Sequence, residues 1–207
     1  MPASDLELWN DLGIRLKAPT SWDNTFVLLR NQYSAHGRHY HTLTHVRHCL
    51  DELSHLGNTA LCFDSIELAI WLHDVVYDSQ KTDNEKLSAD WSTQHLSHAQ
   101  VSPDVIQTVA SLILTTRHSP SVPADQDHRI IIDCDLAILG QGKEIFDRYE
   151  QQIRLEYSWV EETLFRKKRG EFLQSLLARP WIFLTEEGRK RYETPARKNL
   201  ERSLKIL

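Results

Sequence analysis

Apolar residues recur at helical spacing almost from one end of this 207-residue chain to the other, and no sustained strand-like alternation interrupts them. A chain patterned this way buries its apolar stripes by packing helix on helix. The punctuation agrees. Ser4 with Glu7 reads as a capping box ahead of Leu8, Trp9, Leu12 and Leu16, and Ser21 opens a second helix with Trp22, Phe26, Leu29 and Tyr33 on one stripe. A break at Gly37 leads to a third helix from about Thr42, whose Val46, Leu50 and Leu53 face inward until Gly57 stops it. Ile66, Ala69, Ile70, His73 and Tyr77 place His73 on the buried side of a fourth helix, with Asp74 about 100° further round it. Asp83 to His98 follows with Leu87, Trp91 and His95 as its face, then a helix started by Ser102-Pro103-Asp104.

Beyond a proline-bearing loop from about Arg117 to Asp127, the apolar run from Ile130 to Leu139 is too long for an ordinary strand and ends at Gly140, so it reads as helix. Ile145, Tyr149, Ile153, Tyr157 and Val160 mark a long helix, Leu164, Phe172, Leu173, Leu176 and Leu177 the next, and Thr194-Pro195 the capped start of the last. The expectation is an all-α, single-domain bundle over residues 1–207, with a core at about 36–140 and a helical extension at about 141–207 packed on it.

Composition narrows the classes. Lys and Arg total 24 against 29 Asp and Glu, a formal charge of −5 that gives no general attraction to nucleic acid or acidic membranes. Cys49, Cys62 and Cys134 form no Cys-x-x-Cys pair and leave one over, as reduced thiols of the cytoplasm would. The acidic N-terminal stretch is unlike a signal peptide, and no apolar run approaches membrane-spanning length. Oligomeric state stays open, with six tryptophans leaving room for the apolar contact of a homodimer.

Eleven histidines are the unusual part, with His36, His39, His41, His45 and His48 crowded into thirteen positions. His45, His73, Asp74 and Asp135 then stand 28, 1 and 61 positions apart. That order and spacing, with Arg38-His39-Tyr40-His41, Trp71-Leu72-His73-Asp74-Val75-Val76-Tyr77, Asp83-Asn84-Glu85, Asp133-Cys134-Asp135-Leu136, Ile153-Arg154-Leu155-Glu156-Tyr157 and Pro195-Ala196-Arg197-Lys198-Asn199-Leu200, resembles the HD superfamily of metal-dependent phosphohydrolases, in particular a small bacterial branch of it.

The resemblance implies a helical HD-type fold whose metal core spans about 36–140 and in which His45, His73, Asp74 and Asp135 bind one divalent ion. Two imidazoles and two carboxylates suit Mn, Mg, Fe, Co, Ni or Zn and leave open positions, and the absence of thiolates argues against a closed structural zinc site. Asp135 is taken as the ligand because in the family pattern the ligating carboxylate precedes an apolar helical turn; Asp133 would support it from behind. The implied activity is hydrolysis of a phosphate ester or anhydride, of a nucleotide or similar small phosphorylated substrate, with no nucleic-acid or membrane partner. Asp74 would be catalytic as well as ligating, Glu85 would take the water proton, and Arg38, His41, Arg117, His118, Arg154 and Tyr157 would bind substrate. Arg154 and Tyr157, three apart, would present a guanidinium and a hydroxyl together. Arg166-Lys167-Lys168-Arg169 reads as a solvated helix face.

Two other readings compete. His41 and His45 are four apart, as in the His-Glu-x-x-His peptidases, but position 42 is Thr and the general base of that motif is missing. A non-catalytic module that senses a nucleotide through a metal-lined pocket is the alternative function, motivated by the lack of an unambiguous general base or of a second-metal histidine beyond His118 and His128.

Overall fold

The computed structural model of the chain describes residues 3–18, 22–117 and 125–207, and among them every regular element is helical. Ser21 and His118, named above, lie outside the described residues. The first seven helices are α1 (Asp5–Arg15), α2 (Trp22–Tyr33), α3 (Leu43–Leu56), α4 (Phe63–Leu72), α5 (Asn84–His98), α6 (Pro103–Thr115) and α7 (Gln126–Leu136). The last of these tightens into a 3₁₀ turn, Ala137–Gly140. The extension is α8 (Lys143–Glu156), α9 (Glu162–Leu177), the single turn α10 (Glu186–Gly188) and α11 (Thr194–Leu204). No helix is long and apolar enough to cross a membrane.

Helix α4 is the axis of the core. Ile66, Leu68, Ala69, Ile70, Trp71 and Leu72 are all buried, so it is apolar all round and must be covered on every side. Helices α1, α3, α6 and α7 cover it. Trp9 and Trp22 clamp the N-terminal pair, stacked at 4.2 Å, with each indole N–H donating to the other's backbone carbonyl. The capping box at Ser4 and Glu7 forms as expected, and Gly37 takes φ +88°, a conformation that L side chains rarely adopt.

Four local expectations change. The buried face of α5 is Ser88, Ala89, Ser92 and Leu96, while Trp91 and His95 stack on each other at its margin. Small residues let α5 approach α6 closely, and Ser88 Oγ both accepts from Val76 N and donates to Val76 O at 3.1 Å, tying down the turn beyond α4. Helix α4 ends at Leu72, so Asp74 does not continue it: His73 is the cap and Asp74 lies in the following turn. In α8 the buried stripe is Phe146, Tyr149, Ile153 and Glu156, and Ile145 is exposed. Thr194 starts α11 as expected but does not cap it. It lies at φ −66°, ψ −49° after a π-helical stretch, Arg189–Glu193, whose wide turn carries the chain from α10 into α11 past the missing N–H of Pro195.

Asp133 also has a different part from the one expected. Its buried carboxylate accepts from Leu184 N (2.7 Å), Thr185 N (2.8 Å) and Thr185 Oγ1 (2.6 Å), fastening the turn before α10 to α7 rather than backing Asp135. Two residues along a helix rotate a side chain by about 200°, which sends the two acids to opposite sides. Replacing Asp133 with Ala leaves three donors unmet and is expected to lower unfolding stability by about 2–4 kcal/mol in urea titrations.

Candidate metal centre

Three helix ends deliver four donors to one point. His45 lies in the first turn of α3, which Thr42 caps by accepting from Thr44 N; His73 caps α4 with Asp74 beside it; Asp135 sits in the last turn of α7. His45 Nε2 and His73 Nε2 are 3.1 Å apart. His45 Nε2 stands 3.1 Å from Asp135 Oδ1 and 3.6 Å from Asp74 Oδ2, and His73 Nε2 stands 3.1 Å from Asp74 Oδ2 and 3.6 Å from Asp135 Oδ1. Donors sharing one ion at bonds of about 2.0–2.2 Å are separated by about 2.8–3.6 Å.

The chemistry fits a cation as well as the spacing does. His73 Nδ1 bonds the Ile70 carbonyl at 2.9 Å, so that nitrogen carries the proton and Nε2 turns its lone pair into the cluster in the neutral ring. Burial opposes a charged His73, yet Asp74 and Asp135 outweigh it and hold its pKa well above the usual value. At His45 burial wins and the pKa falls. Burial likewise opposes ionisation of Asp74, but the imidazoles hold its carboxyl well below the usual range. Positive charge is drawn to a spot walled by nitrogen and oxygen acceptors, and His45, His73 and Asp135 form a group that could hold a metal ion.

At the cluster opens a cavity of about 400 Å³ lined by Asp74, Asp135, His41, Tyr77 and Glu85 together with residues of α8, α9 and the 3₁₀ turn. His41 is held by Glu156. Its Nδ1 lies 2.6 Å from Glu156 Oε2, its ring stacks on Tyr77 at 4.0 Å, and Tyr77 donates its hydroxyl to the same carboxylate at 3.0 Å. The other Glu156 oxygen accepts the backbone N–H groups of His39 and Tyr40 at 2.8 Å and of His41 at 3.0 Å. Burial works against the Glu156 anion, but His41 and these amides hold its pKa down to about 2. At His41 itself burial opposes the charged ring and the surrounding carboxylates, Asp74 first, raise its pKa.

Of the expected substrate contacts, His41 and Tyr157 line the cavity, as does Glu85, the expected proton acceptor. Three arginines are placed otherwise. Arg38 donates to the carbonyls of His41 (3.1 Å), Asp74 (2.7 Å) and Val75 (2.9 Å), bracing the backbone that carries the site instead of offering a fork to phosphate. Arg154 turns to the carbonyls of Tyr157 and Val160 and to Glu162, because the end of α8 exposes carbonyls that attract a cation; it does not act beside the Tyr157 hydroxyl. Arg117 is exposed just past α6 and does not line the cavity.

Glu156, which has no assigned role in the sequence pattern, and Arg169, which the pattern puts on a solvated face, both belong to the site. Glu156 falls three residues after Ile153 and seven after Tyr149, an acid on an apolar stripe, and that was the available signal. Arg169 falls four after Phe165 and three before Phe172, so it faces inward while Arg166 and Lys167 remain on the solvated side. No family model, curated protein or solved structure matches the chain.

Two measurements check the centre. Elemental analysis of protein grown with divalent metals is expected to find an ion in the wild type and in Asp133→Ala, and none in Asp135→Ala or His73→Ala. Glu156 ionises more readily folded than unfolded, so its contribution is complete above pH 4.5 and is lost as pH falls towards about 2. Urea titrations of Glu156→Gln against wild type are expected to show a gap of about 3 kcal/mol near neutrality that closes over that interval.

Proposed function

We propose that the protein is a metal-dependent phosphohydrolase of the HD type, transferring a phosphoryl group from an ester or anhydride to water. The observation that carries this reading is the convergence of two imidazoles and two carboxylates, without a thiolate, at the base of an open cavity. The donor set suits Mn, Mg, Fe, Co, Ni or Zn, and such an ion supplies Lewis acidity and makes water a competent nucleophile near neutral pH.

The chain's own residues supply the rest. His45 and His73 offer neutral lone pairs, with His73 kept in that tautomer by Ile70 O. Asp74 and Asp135 balance the ion's charge. Glu85, in the cavity lining, is the carboxylate that takes the proton of the attacking water. His41 donates Nδ1–H to Glu156, and the surrounding carboxylates favour the doubly protonated ring, which presents its second proton, on Nε2, to the oxygen that leaves phosphorus. The bond from water oxygen to phosphorus forms, the bond from phosphorus to the leaving oxygen breaks, and the His41 proton ends on that oxygen.

Leaving-group dependence tests this division of labour. With added Mn²⁺, Co²⁺ or Mg²⁺, the wild type is expected to release phosphate and Asp74→Ala to release none. His41→Gln is expected to lose about 10²–10³-fold in kcat/KM on an alkyl phosphate, whose leaving oxygen needs a proton, and less than about tenfold on p-nitrophenyl phosphate, whose leaving oxygen does not. Equal activity in wild type and Asp74→Ala would remove the hydrolase reading, and tight nucleotide binding without turnover would favour a sensor.

A further inference from the structure

The cavity at the donor cluster is lined by two kinds of side chain. Asp74, Asp135 and His41 share its lining with the apolar side chains of Leu136, Ile138, Leu139, Ile153, Phe165 and Phe172. At about 400 Å³ it lies near the small end of ligand pockets, with room for one phosphoryl group and one modest organic body.

Its cations are largely spoken for. Lys168 pairs with Glu171 at 2.8 Å, and Arg169 pairs with Glu150, leaving Lys81 at the exposed rim. Beyond the ion and His41, a nucleoside triphosphate brings the charge of two further phosphates to a cavity that also holds Glu85, with only paired or rim cations among the described residues to meet it.

Arg169 is placed to recognise something else. Its guanidinium is sandwiched between the rings of Tyr149 and Phe172, 5.1 Å from each centroid, and its bonds to the Tyr149 hydroxyl (2.8 Å) and to Glu150 both leave from Nη2. Arg169 lines the cavity, and a rigid, charge-compensated guanidinium among apolar side chains matches a neutral acceptor such as a carbonyl oxygen or ring nitrogen, which meets an N–H without importing a second anion.

Building on the hydrolase reading above, we infer that the substrate is a phosphate monoester of an uncharged, flat and mostly apolar body, with its phosphoryl group at the donor cluster and a polar acceptor on the body read by Arg169. The body is the leaving group, which places its bridging oxygen on the side of the cavity that His41 occupies. Arg169 and Phe172 are thus substrate-binding residues, away from the bond that breaks.

The test compares 4-methylumbelliferyl phosphate, which is flat and neutral in its body and carries a carbonyl, with ethyl phosphate, which reaches only the donor end, and with ATP. Arg169→Gln and Phe172→Ala are expected to raise KM for the first at least tenfold with kcat changed less than threefold, and to leave kcat/KM for ethyl phosphate within threefold. ATP turned over tenfold better than the umbelliferyl ester, or ethyl phosphate losing as much as the ester in both variants, overturns the inference. Binding of phosphate-free 4-methylumbelliferone, followed by its own fluorescence, separates the two readings. If no ester releases phosphate, the hydrolase reading fails, and the inference stands only if the wild type binds the umbelliferone at least tenfold tighter than Arg169→Gln. If Arg169→Gln does not fold, Tyr149→Phe and Phe172→Leu carry the same comparison, and no change in either overturns the inference.

Discussion

A single buried carboxylate organises the half of this molecule that carries the donor cluster. Glu156 gathers three consecutive backbone amides, an imidazole and a phenol, and every one of those donors belongs to a segment that carries part of the site. The amides belong to the 39–41 segment just ahead of α3, the imidazole is His41, and the phenol is Tyr77, three residues after Asp74. A carboxylate that deep is costly to desolvate, and only a full set of donors offsets the cost. Its geometry is therefore all or nothing: a shift of α8 that stranded one donor would penalise the rest.

Arg38 works on the other side of the same assembly. It grips the carbonyls of His41, Asp74 and Val75, so the segment before α3 and the turn after α4 are joined through main-chain atoms. Side chains on those segments inherit fixed positions from backbone held at both ends. The donor cluster depends on this more than on regular helix, because His73 is a terminal residue and Asp74 lies outside α4 altogether.

The helical architecture was legible because period, caps and stop signals agreed. Ser4 with Glu7, Thr42, Pro103 and Gly57 stand where those patterns placed them. The convergence of His45, His73, Asp74 and Asp135 was legible from their types and order. What escaped was polar burial. Glu156 and Arg169 are charged residues on inward faces, and periodicity counts such positions as interruptions instead of sites. Arg38, Arg154 and Asp133 escaped for a related reason: their partners are main-chain groups, which every residue possesses and no motif records. The π-helical stretch before Pro195 likewise depends on the backbone tolerating a wider turn, where a proline preceded by threonine ordinarily marks a capped beginning.

The donor cluster and much of the remaining cavity lining come from different lengths of chain. Every donor of the cluster precedes Gly140, whereas Tyr149, Ile153, Tyr157, Phe165, Arg169 and Phe172 all follow it. Inheritance of the two is thereby uncoupled. Substitutions along α8 and α9 can reshape the cavity while the four donors stay untouched, provided Glu156 keeps its hold. Descendants of such a scaffold can diverge in the shape of that lining through one short stretch of sequence and still share a common donor cluster.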